Sequence, residues 1–189
     1  MSNKVNTKEK FIETACRLFE IKGYNATGLN EILAESGAPK GSLYYHFPKG
    51  KEQLALEAIN LAGEKIKNNI KNTLDNIENP VEAIMCNIEN IAIIIDNEQK
   101  TRDISISLIA LETYLTSEIL REACENIFTS LENIYAEKLI KSGINREKAY
   151  ELGGAIAAMM EGGITFSLTK RNGDSLRLIA KQIPKLINT

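Results

Sequence analysis

A short stretch near the N-terminus combines residue types that suit contact with nucleic acid. From Lys40 to Phe47 the sequence reads KGSLYYHF, with Pro39 before it and Lys51 shortly after it. Tyrosine offers a rigid ring to a thymine methyl group and a hydroxyl to a phosphate oxygen, while glycine lets a backbone come close and lysine carries positive charge. The stretch therefore predicts contact with double-stranded DNA.

Helical spacing divides this stretch into two faces. Pro39 suits the first turn of a helix, where its missing N–H costs no hydrogen bond, and we expect the helix to end near Phe47. Measured from Leu43 at about 100° per residue, Gly41 and Tyr45 lie about 160° away on either side. Leu43 and Phe47 should therefore point inward, whereas Tyr45 should point outward.

Two preceding helices are predicted to support this one. The first begins at Asn6, carries an apolar stripe, and ends at Lys22-Gly23, since glycine favours a helix C-terminus. The second is short, has Thr27 as its N-cap, and ends at Gly37. Two short helices joined by a tight turn and backed by a third form a helix-turn-helix.

The rest of the chain also has helical periodicity and predicts an all-α fold of about nine helices. We expect a helix-turn-helix domain over residues 1–50 and a larger ligand-binding and dimerisation domain over residues 51–189. The helices of the larger domain are expected at about 51–74, 80–97, 103–114, 117–142, 145–171 and 174–187.

Composition limits the class of protein. The chain has 189 residues, 43% of them apolar and 25% charged, which is typical of a folded globular protein. The chain has three cysteines, Cys16, Cys86 and Cys124. A small, odd number of cysteines does not suit a disulfide framework. The polar start and the lack of a long apolar run favour a cytoplasmic protein without membrane contact.

Enzymatic chemistry finds little support in the sequence. His46 is the one histidine, so a metal site built on a histidine pair is excluded and a catalytic triad lacks a base. There is no phosphate-binding loop, nucleophile elbow or metal-ligand spacing. We therefore predict no catalytic residues, no metal and no cofactor.

Residues 27–47, TGLNEILAESGAPKGSLYYHF, resemble the DNA-binding signature of the tetracycline-repressor (TetR) family, and the similarity spans roughly residues 7–56. The resemblance implies an all-helical homodimer that binds operator DNA. It also implies that Thr27 and Lys51 hold phosphates and that the third helix contacts groove and backbone. The resemblance implicates Thr27, Lys40, Gly41, Tyr44, Tyr45, His46 and Lys51 in DNA binding, and helical spacing adds Ser42 to the outward face. The link Pro48-Lys49-Gly50 is about one residue longer than in many relatives.

Two segments of the back half, Ala110-Leu-Glu112 and residues 161–171, resemble the LmrA/YxaF-like branch of this family, whose members respond to drugs, antibiotics or plant flavonoids. Adaptable methionines and aromatic residues also suit a pocket for flat ligands, although ordinary core packing explains them as well. The predicted pocket residues are Met85, Ile88, Glu89, Leu111, Phe128, Met159 and Phe166.

Gly154, Ala158 and Gly162 are small residues spaced one helical turn apart. This ladder of small residues predicts close contact with another helix. Glycine lowers helix propensity by about 1 kcal/mol relative to alanine, so close approach of another helix would explain its presence. Packing within one subunit is the alternative to a dimer seam. The predicted seam consists of Gly154, Ala158, Gly162, Leu176, Ile179 and Ile183.

These features together predict a ligand-responsive repressor whose dimer binds a near-palindromic operator and is released by a small apolar or aromatic effector. Two alternatives stay open. One is a DNA-binding regulator without a small-molecule effector, for example one that senses thiol oxidation through its cysteines. The other is an enzyme that uses the helical cavity.

Overall fold

The computed structural model describes residues 7–98 and 105–188, and all of its regular secondary structure is α-helical. This confirms the predicted all-α class. The helices are α1 (Thr7–Ala26), α2 (Leu29–Ser36), α3 (Lys40–His46), α4 (Lys51–Asp75), α5 (Pro80–Glu98), α6 (Ile106–Thr113), α7 (Glu118–Lys141), α8 (Arg146–Lys170), α9 (Asp174–Ala180) and α10 (Ile183–Asn188).

The predicted last helix is not continuous in the structure, whereas the predicted end of the first helix is recognisable. The predicted last helix is divided into α9 and α10, because Pro184 has no N–H to donate to Ala180 and its ring would clash with that carbonyl. Helix α1 is broken at Gly23, where the backbone is non-helical with φ 78° and ψ 173°, and this agrees with the predicted helix end at Lys22-Gly23. A short helical segment follows as far as Ala26. The predicted first cap, Asn6, lies outside the described residues.

The chain divides into two compact units, which we call the N-terminal unit and the C-terminal unit. The N-terminal unit comprises the described residues up to 64 together with those of 103–126, and the C-terminal unit comprises those of 65–102 and those from 127 onward. The N-terminal unit therefore contains more than the predicted domain of residues 1–50. The boundary at residue 50 stays a prediction.

Helix α1 is the centre of the N-terminal unit and contacts α2, α3 and α6. Its apolar stripe is buried, with Phe11, Ala15 and Phe19 fully inaccessible. Burying a large apolar side chain contributes about 1.5–3 kcal/mol. The stripe thus provides the support that the two short helices cannot provide for each other.

Helix α5 is the centre of the C-terminal unit and contacts α8, α9 and α10. The start of α9 approaches it closely, because a Cβ atom added at Gly173 would lie 2.7 Å from the Cβ of Ala92. The amide of Gly173 donates to Asp96 Oδ1 at 2.7 Å, and Arg177 donates to the other oxygen at 2.6 Å. Among the described residues, no helix is long and apolar enough to cross a membrane.

Candidate DNA-binding surface

Helix α3 is anchored by two apolar side chains, as its spacing predicts. Leu43 and Phe47 are completely buried. The ring of Phe47 packs edge-on against Phe11 of α1, with centroids 6.2 Å apart and planes at 86°, an arrangement that aromatic pairs prefer. This packing fixes which face of α3 is left exposed.

The opposite face of α3 is open. Tyr45 is 81% exposed and Tyr44 49% exposed, which confirms the predicted orientation. A Cβ atom added at Gly41 would meet no atom within 4 Å, so this position leaves room for a close approach. Lys40 lies exposed at the first residue of the helix.

Two further predicted contacts lie at the edge of this face. The His46 ring is half-buried and packs edge-on against Tyr45, 5.1 Å away. The Ser42 hydroxyl donates to the carbonyl of Pro39 at 2.6 Å, and its side chain is also half-buried. The structure thus brings six of the eight predicted DNA-binding residues together on α3, namely Lys40, Gly41, Ser42, Tyr44, Tyr45 and His46.

Thr27 has a different local role from the one predicted. Gly28, not Thr27, is the N-cap residue of α2, and no side chain caps this helix. The Thr27 side chain is only 1% exposed, and its hydroxyl donates to the carbonyl of Gly23 at 2.8 Å. Because its hydroxyl already has this acceptor, Thr27 tightens the junction between α1 and α2. Its contact with a phosphate stays a prediction.

Lys51 lies at the first residue of α4, half-buried, with its Nζ 4.1 Å from the centroid of the Tyr24 ring. Desolvation lowers the pKa of Lys51, and the carboxylate of Glu112 opposes this effect. A cation over an aromatic face is stabilised by the ring quadrupole. Lys51 is therefore held in a defined position beside the helix-turn-helix.

Sequence reasoning did not identify Glu112 of α6 as part of this region. The backbone amide of Tyr24 donates to Glu112 Oε2 at 2.5 Å, and that of Asn25 donates to the same oxygen at 3.3 Å. Glu112 ends a segment that the family resemblance had marked, but no local spacing relates it to residues 88 positions earlier. A long-range contact of this kind has no signal in a single sequence.

The predicted pocket residues are distributed over the two units, and the pocket itself stays a prediction. Leu111 lies in the N-terminal unit and is 72% exposed. In the C-terminal unit, Ile88 is fully buried, Phe166 is 61% exposed, and Glu89 accepts a hydrogen bond from Arg177. Met85, Phe128 and Met159 are half-buried. A cleft of about 190 Å³ in the C-terminal unit is lined by other residues, namely Lys71, Leu74, Asp75, Ile134, Glu137, Lys138 and Lys141.

The C-terminal unit also contains a buried polar pair that the sequence did not reveal. Asn87 of α5 donates to the hydroxyl of Tyr135 of α7 at 3.0 Å, and both side chains are at most 4% exposed. Burial raises the pKa of the Tyr135 phenol, with a further contribution from the carboxylate of Glu161. The hydrogen bond satisfies polar groups that would otherwise be costly to bury.

The ladder of small residues on α8 lies on an open face. Ala158 and Gly162 are exposed and Gly154 is half-buried, and a Cβ atom added at either glycine would meet no atom within 4 Å. The neighbouring glycines pack internally: Gly153 lies against α7, and Gly163 lies against Leu176 and Ile179.

The residues predicted to join this ladder from the last helix are partly or completely buried in the subunit. Leu176 and Ile183 are completely buried within the C-terminal unit. Ile179 is half-buried, and its Cδ1 would lie 2.5 Å from a Cβ atom added at Gly163. The structure therefore places these three side chains in intramolecular packing.

The cysteines differ in their surroundings. Cys124 is 1% exposed, and burial raises the pKa of its thiol to about 11. The reactive form of cysteine is the thiolate, which a raised pKa suppresses at neutral pH. Cys16 and Cys86 are half-buried, and the thiol of Cys16 donates to the carbonyl of Ala58 at 3.8 Å.

Two family models match this chain, one in its N-terminal part and one in its C-terminal part. A family model described as bacterial regulatory proteins of the tetR family matches residues 11–58. A second, described as the C-terminal domain of LmrA/YxaF-like transcriptional regulators, matches residues 80–182.

Full-length relatives and a solved structure extend these matches. The HTH-type transcriptional regulator YxaF of Bacillus subtilis is 46% identical, over 99% of this chain and 98% of that protein. LmrA of the same organism is 42% identical, over 96% and 97%. The crystal structure of a TetR transcriptional regulator from Legionella pneumophila superimposes with a TM-score of 0.79 at 22% identity, covering 97% of this chain and 98% of that one, and this likeness supports the fold alone.

Proposed function

This chain belongs to the TetR family of bacterial transcription regulators, and on that premise we propose that it is a repressor that binds a near-palindromic operator as a homodimer. The observation that carries the proposal is the exposed Tyr44–Tyr45 face of α3. Its apolar anchors, Leu43 and Phe47, are buried behind it. A helix of this kind can enter the major groove, where base pairs are distinguished.

The homodimer supplies two copies of α3. Recognition helices of helix-turn-helix dimers bind half-sites about 34 Å apart, one turn of DNA. We assign the seam to the open face of α8 formed by Gly154, Ala158 and Gly162, because this face can accept a second helix closely. Phe166, one turn further along the helix and 61% exposed, extends the same face and adds an apolar contact.

A small apolar or aromatic effector is proposed to release the repressor from DNA. An effector can act only if its affinity differs between the DNA-binding conformation and another one, and coupling of about 1–3 kcal/mol weakens operator binding about 5- to 150-fold. The similarity to the LmrA/YxaF-like C-terminal domain supports an effector-binding role for the C-terminal residues. Such a repressor acts in the cytoplasm, where the operator is.

The experiment has two parts. The protein is first used to select duplexes from a random library, and the enriched sequence, here called the selected duplex, is compared with the DNA upstream of its own gene by footprinting. Aromatic drugs and flavonoids that raise the thermal midpoint of the protein are then added to the footprinting reaction. We expect a near-palindromic footprint that a stabilising compound removes. Failure to enrich any sequence would contradict the proposal.

The redox alternative is tested on the same duplex. Binding that no stabilising compound weakens, but that thiol oxidants abolish, would favour a thiol sensor. The raised pKa of Cys124 disfavours that thiol as the sensor.

A further inference from the structure

The junction between α1 and α2 contains a recess that holds a carboxylate from α6. At Gly23 the backbone has φ 78°, a left-handed conformation that favours glycine. The next two amides, of Tyr24 and Asn25, both donate to Glu112 Oε2. The side-chain amide of Asn25 also donates to the Glu112 carbonyl at 3.4 Å. Both the side chain and the backbone of Glu112 are therefore engaged.

The recess depends on the absence of a side chain at Gly23. A Cβ atom there would lie 2.7 Å from Glu112 Oε1 and 2.9 Å from Oε2, closer than real contacts allow. The carbonyl of the same glycine accepts the hydroxyl of Thr27 at 2.8 Å. The peptide group that joins Gly23 to Tyr24 is thus bonded at both ends, through its carbonyl to Thr27 and through its amide to Glu112. Gly23 lies five positions before the N-cap of α2, Gly28.

From this geometry we infer that Glu112 is a positioning residue for DNA recognition: its carboxylate fixes the direction in which α1 leads into α2, and so the orientation of α3. Hydrogen bonds from amides to a carboxylate are roughly twice as strong as neutral ones. The helices that these bonds orient are short, with eight residues in α2 and seven in α3. A constraint on the backbone just before α2 therefore affects the orientation of both helices. The inference rests on the proposed function.

The sign of the effect separates positioning from simple electrostatics. Glu112 is anionic and belongs to the same compact unit as α3. Removing a negative charge near DNA would by itself strengthen binding to any sequence. If the carboxylate instead positions α3, its removal weakens binding to the selected duplex and leaves binding to a scrambled duplex unchanged or slightly stronger.

The test compares variants of the full-length protein by fluorescence anisotropy on the selected and scrambled duplexes. We expect Glu112→Ala to weaken binding to the selected duplex about tenfold. Glu112→Gln keeps a neutral acceptor of the same length, whose hydrogen bonds are weaker than those of the carboxylate, and should weaken binding to the selected duplex less than Glu112→Ala does. Glu122→Ala removes the same charge from an exposed residue of the same unit and serves as the matched control; it should not weaken binding.

A shorter carboxylate at this position provides a second comparison in which the charge does not change. Glu112→Asp keeps the charge but is one methylene shorter, so it should lose several-fold in affinity for the selected duplex; it decides the matter if Glu112→Ala does not fold, which circular dichroism reports. Equal affinity of Glu112→Asp and the wild type, or parallel losses on both duplexes, would overturn the inference. Failure of the wild type to select any duplex would instead contradict the proposed function.

Discussion

At the scale of single residues, side chains two positions apart in the α3 region lie on opposite faces of the helix. Tyr45 is 81% exposed, whereas Leu43 and Phe47 are fully buried. Substitutions on the two faces should therefore affect different measurements. Those on the exposed face should change DNA binding and leave stability unaltered, and those on the buried face should lower stability.

Tyr45→Ala tests the exposed face directly. Loss of one contact to a base or phosphate should weaken binding to the selected duplex by about 1 kcal/mol or more, at least fivefold, without changing the thermal midpoint or the dimer mass. Anisotropy titration and differential scanning fluorimetry measure the two effects. Tyr114→Ala removes the same side chain from a 53% exposed position at the C-terminal end of α6 and should leave affinity unchanged. Equal affinities of Tyr45→Ala and the wild type would show that this face does not contact DNA.

Lys40→Ala should act through phosphate contact. Loss of one such contact weakens binding to all sequences and reduces the slope of log affinity against log salt by about 1. Titrations of the selected and scrambled duplexes at several salt concentrations measure this slope. A slope identical to that of the wild type would place Lys40 away from the phosphates.

Gly41 offers a test in which stability and binding move in opposite directions. An added side chain meets no atom within 4 Å, and leucine is a better helix former than glycine by up to about 1 kcal/mol. Gly41→Leu should therefore keep or raise the thermal midpoint while it weakens binding to the selected duplex. A variant that binds as tightly as the wild type would show that no DNA atom approaches this position.

At the scale of helices, hydrophobic periodicity is sufficient to predict the structure where residues close in sequence determine it. The burial of Leu43 and Phe47 followed from their spacing, and every long helix was anticipated. The division between α9 and α10 was missed because the apolar stripe continues through it, although Pro184 interrupts the hydrogen bonds. The contact between Glu112 and the Gly23 junction could not be predicted, since it joins residues about 90 positions apart. The same reason explains the Asn87–Tyr135 pair.

The contact between α5 and α9 should depend on pH. Hydrogen bonds from Arg177, and then from the amide of Gly173, lower the pKa of Asp96 below its ordinary value. A depressed pKa means that the extra stability is fully present above the unfolded-state pKa, about 3.9, and is lost as pH falls through the folded-state value. Asp96→Asn should therefore lower the thermal midpoint at pH 7, and the difference from the wild type should shrink towards pH 3. A difference independent of pH would assign the effect to packing.

At the scale of the whole molecule, the proposal requires two copies of the chain. The open face of α8 is the surface to which we assign their contact. Its small residues accept a close neighbour, and a large charged side chain there would prevent it.

Ala158→Arg should shift the protein from dimer to monomer in sedimentation velocity and weaken binding to the selected duplex, because one copy of α3 contacts only one half-site. Circular dichroism should show that the subunit remains folded, since Ala158 is exposed. Ala34→Arg makes the same change at an exposed position of α2 and should leave the sedimentation coefficient of the dimer unchanged. A dimer that persists in Ala158→Arg would place the seam elsewhere.

In the proposed dimer, two outward tyrosine faces contact two successive major grooves of one operator. Methylation of guanine N7 on the selected duplex, with and without protein, tests this most directly, because N7 lies in the major groove. We predict protection in two symmetric clusters about 10 base pairs apart. Protection confined to one half-site, or no protection of N7 despite tight binding, would contradict this mode of binding.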